Sequence, residues 1–189
     1  MLRFTLIAAL FASASPVLSQ DAFNLDETVQ VCANCHGEAD VGVPIDETYP
    51  IIYGQQFFYI YTQLKDYAAG RRDNEIMTGI AAEYSRDEMK EIAQYFADLP
   101  WPDVPAHTQD GDDALAERGI TGGQCSGCHG KWEGDSRIPR LAGQQVGYLE
   151  QTMLDFKNEV RMNAPAMISI MKQLDDESIA ALSRYLGAM

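Results

Sequence analysis

The sequence predicts an all-α protein built from two tandem copies of one small domain. The six-residue stretch CANCHG at 32–37 returns as CSGCHG at 125–130. The segments that follow the two stretches match each other at a nearly constant separation. No stretch alternates apolar and polar residues as a half-buried strand would. Helix-capping signals, by contrast, occur in both halves.

The composition is that of an ordinary globular protein, with 46% hydrophobic and 22% charged residues. The formal net charge is −14. Nucleic acids and anionic membrane surfaces bind basic proteins, so neither is an expected partner. A protein that docks on this chain through charge is expected to carry basic patches.

Residues 1–19 have the pattern of a cleaved secretory signal peptide. Arg3 provides a positive start, an apolar run follows from Phe4 to Phe11, and small residues lead to a cleavage site near Ser19. A membrane anchor is the alternative, but the run falls short of the ~20 residues that a spanning helix needs. The mature protein is therefore predicted to be exported, soluble and periplasmic, with no permanent membrane span.

All four cysteines belong to the repeated stretches, and a histidine directly follows each pair. A disulfide framework, a thiol-redox pair or a zinc site would explain cysteines alone, but none explains the histidines. C-x-x-C-H is the attachment signature of c-type haem, in which both thiols bond to the porphyrin and the histidine ligates the iron. Two haem c groups are predicted, with the residues Cys32, Cys35 and His36, and Cys125, Cys128 and His129.

The duplication extends beyond these motifs. Eight identical residues recur at a separation of 89: Pro50, Gly54, Gln55, Gln56, Tyr59, Asp66, Arg72 and Asn74 match Pro139, Gly143, Gln144, Gln145, Tyr148, Asp155, Arg161 and Asn163. A one-residue insertion then shifts the register to 90 and pairs Met77 with Met167. Because a thioether is a common sixth ligand of haem iron, Met77 and Met167 are predicted as axial ligands. Met171 and Met162 are the alternatives in the second half.

Helices are expected around 24–35, 55–69, 112–127 and 144–158, and one helix closes each half. Ser85 and Glu88 form a capping box before one closing helix, and Asp175 caps the other. Prolines mark a linker between the halves. The predicted boundaries are a signal peptide at 1–19, an N-terminal domain at 20–99, a linker at 100–111 and a C-terminal domain at 112–189.

These motifs resemble those of the di-haem cytochrome c4 family. Each C-x-x-C-H-G is followed by Pro-x-(Ile/Leu)-x-Gly-Gln, a Tyr-containing helix and a Met-bearing loop. The resemblance implies two tandem class I cytochrome c domains, each wrapped around a covalent haem. The second half reads AMISIM where the family has Met-x-Gly, so Ser169 departs from the pattern. The segment 148–161 is also similar to the cytochrome subunit of flavocytochrome c sulfide dehydrogenase.

Four further residues are candidates for the haem environment. The carbonyls of Pro50 and Pro139 are predicted to accept from Nδ1 of the axial imidazoles, which would orient the rings. Shaping of a loop is the alternative role for both prolines. Arg72 and Arg161 are predicted to pair with haem propionates, with a solvated surface position as the alternative.

The predicted function is electron relay between a donor and an acceptor protein. Histidine and methionine on both axial positions leave no iron site for a substrate, so the chain is not expected to be an enzyme by itself. One alternative is the cytochrome subunit of a flavoprotein sulfide dehydrogenase. Another is an independent enzyme, such as a peroxidase or a thiosulfate-oxidising cytochrome, which would need an open or unusual axial position.

Overall fold

The computed structural model describes residues 22–38, 41–104 and 113–189. These ranges form nine helices and no strand: α1 Leu25–His36, α2 Phe57–Ala68, α3 Glu75–Ala82, α4 Arg86–Asp98, α5 Asp113–Gly123, α6 Ser126–His129, α7 Val146–Lys157, α8 Pro165–Met171 and α9 Asp176–Gly187. The prediction of an all-α protein is confirmed. The expected signal peptide and residues 105–111 of the expected linker lie outside the described residues.

The N-terminal half (residues 22–104) and the C-terminal half (residues 113–189) repeat one arrangement of helices. In the first, α2 packs on α3 and α4, and α1 packs on α4. In the second, α7 packs on α8 and α9, and α5 packs on α9. Each half has its own apolar core, centred on Phe96 and Ile51 in one case and on Leu182 and Ile179 in the other.

The closing helices begin where the sequence predicts. The Ser85 side chain accepts from the amide of Glu88, and the Glu88 carboxylate accepts from the amide of Ser85 at 2.6 Å, which completes the capping box of α4. The Asp175 side chain accepts from the amide of Ser178 at 2.7 Å and caps α9. Both caps satisfy amides that have no partner inside the helix.

The methionine segments differ from the prediction, because they are short helices and not loops. The side chain of Asn74 accepts from the amide of Met77 at 2.9 Å and caps α3. In the second half, Pro165 occupies the first turn of α8, where its missing N–H removes no helical bond. Each predicted axial methionine is therefore held on a helix.

The predicted helix over 112–127 is interrupted. α5 ends at Gly123, Gln124 adopts a φ of +52°, and α6 carries the end of the second motif. Two consecutive glycines, Gly122 and Gly123, have low helix propensity and explain why the helix ends there. No helix in the described ranges is long and apolar enough to cross a membrane.

Two equivalent glycines attach the loop after each motif to the closing helix. The amide of Gly54 donates to the carbonyl of Phe96 at 2.8 Å, and the amide of Gly143 donates to that of Leu186 at 2.9 Å. Both glycines have a positive φ, +67° and +70°. A side chain on Gly54 would also lie 2.5 Å from the backbone nitrogen of Trp101. These contacts fix the glutamines that follow, Gln55 and Gln144.

Candidate haem sites

The first motif lies at the end of α1 and places one imidazole in the interior. His36 is 7% exposed, and its Nδ1 lies 2.8 Å from the carbonyl oxygen of Pro50. Since a carbonyl only accepts, Nδ1 carries the proton and Nε2 has its lone pair free. Burial lowers the pKa of His36, and the hydrogen bond that Nδ1 donates to the Pro50 carbonyl opposes this effect. The ring is therefore neutral near pH 7, which is the form that ligates a metal.

The second motif repeats this geometry less tightly. His129 is 8% exposed, and its Nδ1 lies 3.4 Å from the carbonyl oxygen of Pro139. Burial again lowers the pKa of the ring, opposed by the proline carbonyl. Both halves thus present a neutral imidazole whose Nε2 is available to iron. The two proline carbonyls are equivalent in position and differ in distance.

The cysteines lie beside the histidines on the same helical segments. All four are free thiols, so no disulfide uses them. Cys32 borders the N-terminal core, and Cys128 is exposed. No group of three or more His, Cys, Asp or Glu side chains that could hold a metal ion occurs in the described ranges, so the zinc alternative lacks a ligand set. Both pairs remain available for thioether bonds to a porphyrin.

The predicted axial methionines occupy equivalent positions at the edges of the two cores. Met77 is partly buried and packs against the N-terminal core, and Met167 does the same in the C-terminal half. The alternatives differ in environment, because Met171 is fully enclosed in the core and Met162 is 53% exposed. Next to Met77, the buried hydroxyl of Thr78 has no hydrogen-bond partner. An unsatisfied buried hydroxyl fits a site that a polar cofactor group completes.

Arg72 and Arg161 are buried where the two halves meet, so the alternative of a solvated surface position is wrong. Arg72 donates to the hydroxyl of Tyr148 at 3.2 Å, and Arg161 donates to the hydroxyl of Tyr59 at 3.3 Å. Each arginine also lies over an aromatic ring of its own half. Both guanidinium groups donate to one shared acceptor, Oε1 of Gln63, at 2.9 and 2.8 Å.

No carboxylate in the described ranges forms a salt bridge with either of these guanidinium groups. Their charge acts on the neighbouring phenol. Burial by itself would raise the pKa of Tyr148, but the positive charges of Arg72 and Arg161 outweigh it and lower that pKa to about 7. Two buried cations without a carboxylate form a site that favours an anion. The propionates of a haem in each half are anions of the required kind, so these residues fit the group.

The sequence alone did not indicate the role of the repeated glutamines, which cross between the halves. Gln144 bonds the backbone of Ile51, and Gln55 bonds the backbone of Arg140, each through both ends of its amide. The repeat shows that both glutamines recur. Their partners depend on how the two halves pack, which no local pattern encodes.

Two haem-attachment motifs on a duplicated helical fold define a di-haem c-type cytochrome, a protein that transfers electrons. Over 176 residues the chain is 36% identical to cytochrome c4 of Thiocapsa roseopersicina, which covers 84% of this chain and 87% of that protein. The structure of this chain matches that of cytochrome c4 from Acidithiobacillus ferrooxidans with a TM-score of 0.74 and 26% identity. The match covers 85% of this chain and 99% of the other. The chain belongs to the cytochrome c4 family and carries two haem c groups.

Two other relatives are named for their redox partners. The thiosulfate dehydrogenase electron acceptor of Stutzerimonas stutzeri is 30% identical over 168 residues, which cover 82% of this chain and 77% of that protein. The cytochrome subunit of sulfide dehydrogenase from Chlorobaculum tepidum is 37% identical over 68 residues, or 36% of this chain and 59% of that protein. No protein-family model matches the chain.

Proposed function

We propose that the chain is an exported periplasmic electron carrier in which His36 and Met77 ligate one haem iron and His129 and Met167 ligate the other. The observation that carries this proposal is the pair of buried imidazoles. Each directs Nδ1 to a proline carbonyl and leaves Nε2 free, in equivalent places of two halves. The equivalent methionines at the core edges supply the second ligand of each pair.

The bound haem supplies a one-electron couple, and the side chains determine how it is used. His36 and Met77 would together hold the iron, which would leave no position open for a substrate. The proline carbonyl holds the imidazole in one orientation and increases its basicity. A thioether favours the ferrous state and raises the reduction potential. These roles describe a carrier and not a site of chemical conversion.

Arg72 and Arg161 are proposed to hold the haem propionates. A planar guanidinium suits a carboxylate, and both groups are buried without one. The phenols of Tyr59 and Tyr148 already accept from them and restrict their rotation. Propionates from both halves would therefore share one cationic cluster.

Axial ligation is tested by substitution of the methionines one at a time. Met77→Ala and Met167→Ala should each remove about half of the weak deep-red charge-transfer absorption that ferric iron shows with a thioether ligand. Met171→Leu and Met162→Leu are the matched controls and should leave it intact. Loss of the band in Met171→Leu, with none in Met167→Ala, would contradict the assignment in the second half.

Redox partners are proposed to be proteins with basic docking surfaces, because the chain carries a net charge of −14. Electron transfer to such a partner should slow as ionic strength rises, since exposed charges are screened over roughly 8–10 Å. Stopped-flow rates measured over a range of salt concentrations provide the test. A rate that is independent of salt would exclude charge-directed docking.

A second candidate is a fixed subunit of an oxidoreductase complex. The named relatives favour it, because one is a thiosulfate dehydrogenase electron acceptor and another is the cytochrome subunit of a sulfide dehydrogenase. If the chain is the cytochrome subunit of a sulfide dehydrogenase, its electron donor is a flavoprotein. Purification from the native source at low salt separates the two candidates. A flavoprotein or dehydrogenase subunit that stays bound in constant stoichiometry identifies a subunit, and a free di-haem protein identifies a carrier.

Export and domain boundaries complete the proposal. Removal of residues 1–19 by a signal peptidase would start the mature protein near Gln20, followed by domains at 20–99 and 112–189 joined by the linker at 100–111. N-terminal sequencing of periplasmic material tests the first statement. Limited proteolysis that cuts within 100–111 and leaves two haem-bearing fragments tests the second.

A further inference from the structure

The two halves exchange an equivalent pair of glutamine contacts. Oε1 of Gln144 accepts from the amide of Ile51 at 2.8 Å, and its Nε2 donates to the carbonyl of Ile51 at 3.0 Å. Oε1 of Gln55 accepts from the amide of Arg140 at 2.8 Å, and its Nε2 donates to the carbonyl of Arg140 at 3.1 Å. Each glutamine side chain thus bonds both the backbone N–H and the backbone carbonyl of one residue in the opposite half.

The residues bound in this way directly follow the two prolines. The amide of Ile51 and the carbonyl of Pro50 belong to one peptide group. On one side, the Pro50 oxygen accepts from Nδ1 of His36; on the other, the Ile51 N–H donates to Gln144. A continuous chain of hydrogen bonds therefore runs from the imidazole of the N-terminal half, through a planar peptide, to a side chain of the C-terminal half.

The second half contains the same chain in the opposite direction. The peptide group between Pro139 and Arg140 faces Nδ1 of His129 with its oxygen and Oε1 of Gln55 with its N–H. Hydrogen bonds in such chains polarise one another, because a peptide whose N–H is bonded becomes a better acceptor at its oxygen. Each glutamine is therefore placed to strengthen the bond that the other half's histidine makes.

Both glutamines are held rigidly. Gln55 is 3% exposed and Gln144 is 2% exposed. Besides its contact in the other half, each Oε1 also accepts from the following amide, that of Gln56 or Gln145, at 2.9 Å. Both lone pairs of the oxygen are used, and a flip of the amide would break these two bonds as well as the one that Nε2 donates.

We propose that Gln55 and Gln144 are positioning residues that tune the haem ligand of the opposite half, so that each domain sets part of the other domain's reduction potential. This inference rests on the proposed ligation by His36 and His129. A stronger bond at Nδ1 makes the imidazole a more basic ligand and favours ferric iron. Loss of the glutamine amide should therefore raise the potential of the haem in the other half.

The distances set the relative size of the two effects. The bond from His36 to Pro50 is 2.8 Å, whereas the contact from His129 to Pro139 is 3.4 Å. When the acceptor is weakened, a hydrogen bond near the optimal distance loses more of its strength than a hydrogen bond near the distance limit. Loss of Gln144 should therefore move the N-terminal haem further than loss of Gln55 moves the C-terminal haem.

The test uses Gln144→Met and Gln55→Met in the di-haem protein, because methionine keeps the length of the side chain and removes the amide. Each haem is followed through a redox titration by the NMR signals of its own axial ligands. In Gln144→Met, the potential of the His36 haem should rise and that of the His129 haem should change less. Gln55→Met should show the reverse pattern. The Nδ1 proton of the affected histidine should shift upfield in the ferrous protein.

The control variant is Gln56→Met. Gln56 also crosses between the halves, through the carbonyl of Glu133 at 3.1 Å, but it binds neither proline peptide. The Gln56→Met variant should leave the chemical shifts of both Nδ1 protons unchanged. Equal shifts in all three variants, or a larger shift in the variant's own half, would overturn the inference.

Amide exchange in the unaltered protein keeps the proposal testable if the variants fail to fold. The amides of Ile51 and Arg140 should exchange slowly with solvent, and rapid exchange of both would overturn the inference. The proposed ligation fails separately, if the unaltered protein shows no iron-bound histidine signals. If the ligand signals are intact but the potential of the haem in the opposite half does not change, only the proposed role of the glutamines is contradicted.

Discussion

Arg72 donates from the N-terminal half to the hydroxyl of Tyr148 in the C-terminal half, at 3.2 Å. The equivalent bond, from Arg161 to Tyr59, runs in the opposite direction at 3.3 Å. Since each arginine and each tyrosine recurs at a separation of 89 residues, the duplication has produced a crossed pair. A change at either arginine should therefore affect both halves.

Substitution of Arg72 by methionine should lower both haem potentials, because a buried positive charge favours the ferrous state. It should also reduce the free energy of unfolding by about 1.5–3 kcal/mol, the range for hydrogen bonds that involve a charged group. Potentiometric titration and chemical denaturation measure the two effects. Arg86→Met, at an exposed position of α4, is the control and should change neither. A fall confined to one haem would contradict the crossed arrangement.

The N-terminal haem should have the lower reduction potential. Residues 20–100 contain five basic and fifteen acidic side chains, whereas residues 101–189 contain eight and thirteen. Negative surroundings stabilise the ferric state, and salt screens that effect. Redox titration followed by NMR should assign the lower midpoint to the His36 haem and show the gap narrowing as salt is added. A lower midpoint for the His129 haem would refute this expectation.

Replacement of Gly54 by alanine should destabilise the N-terminal half. Its φ of +67° costs an L-residue about 1–2 kcal/mol, and the new methyl group would lie 2.5 Å from the backbone nitrogen of Trp101. Gly122→Ala is the matched control, because a side chain there meets nothing within 4 Å inside α5. That control should gain about 0.5–1 kcal/mol from better helix propensity. Thermal unfolding measures the stability of both variants. Equal stabilities of Gly54→Ala and Gly122→Ala would contradict the predicted clash.

The cap of α9 should make stability depend on pH in the acid range. Hydrogen bonds from the hydroxyl and amide of Ser178 lower the pKa of Asp175 below the ordinary value of an aspartate. A lowered folded pKa contributes stability above the unfolded value and loses it as pH falls through the folded value. Asp175→Asn keeps an acceptor but cannot titrate. The melting-temperature difference between wild type and this variant should therefore shrink on acidification, and a constant difference would count against the cap.

Local patterns predicted much of this structure. The capping box at Ser85 and Glu88 and the cap at Asp175 depend on residues three apart in the chain, and both form as expected. The methionine segments were predicted as loops and are helices. Asn74, three residues before Met77, was the available signal, since an asparagine often caps a helix at that spacing.

Contacts between the halves were beyond the reach of sequence periodicity. Arg72 could be read equally as a surface or a buried residue, because burial depends on the packing of two domains. Gln144 repeats Gln55, but a repeat does not reveal which backbone each amide binds. The 3.4 Å contact at His129 likewise reflects a loop conformation that the proline alone does not determine.

The shared acceptor Gln63 has no twin, because Thr152 stands 89 residues later. Its oxygen receives Arg72 from its own half and Arg161 and Asn163 from the other. A homodimer of C-terminal domains would lack this acceptor, and a homodimer of N-terminal domains would contain it twice. The contact between the halves is therefore asymmetric at this position, and a chain with two copies of either domain would have a different number of acceptors for the arginines.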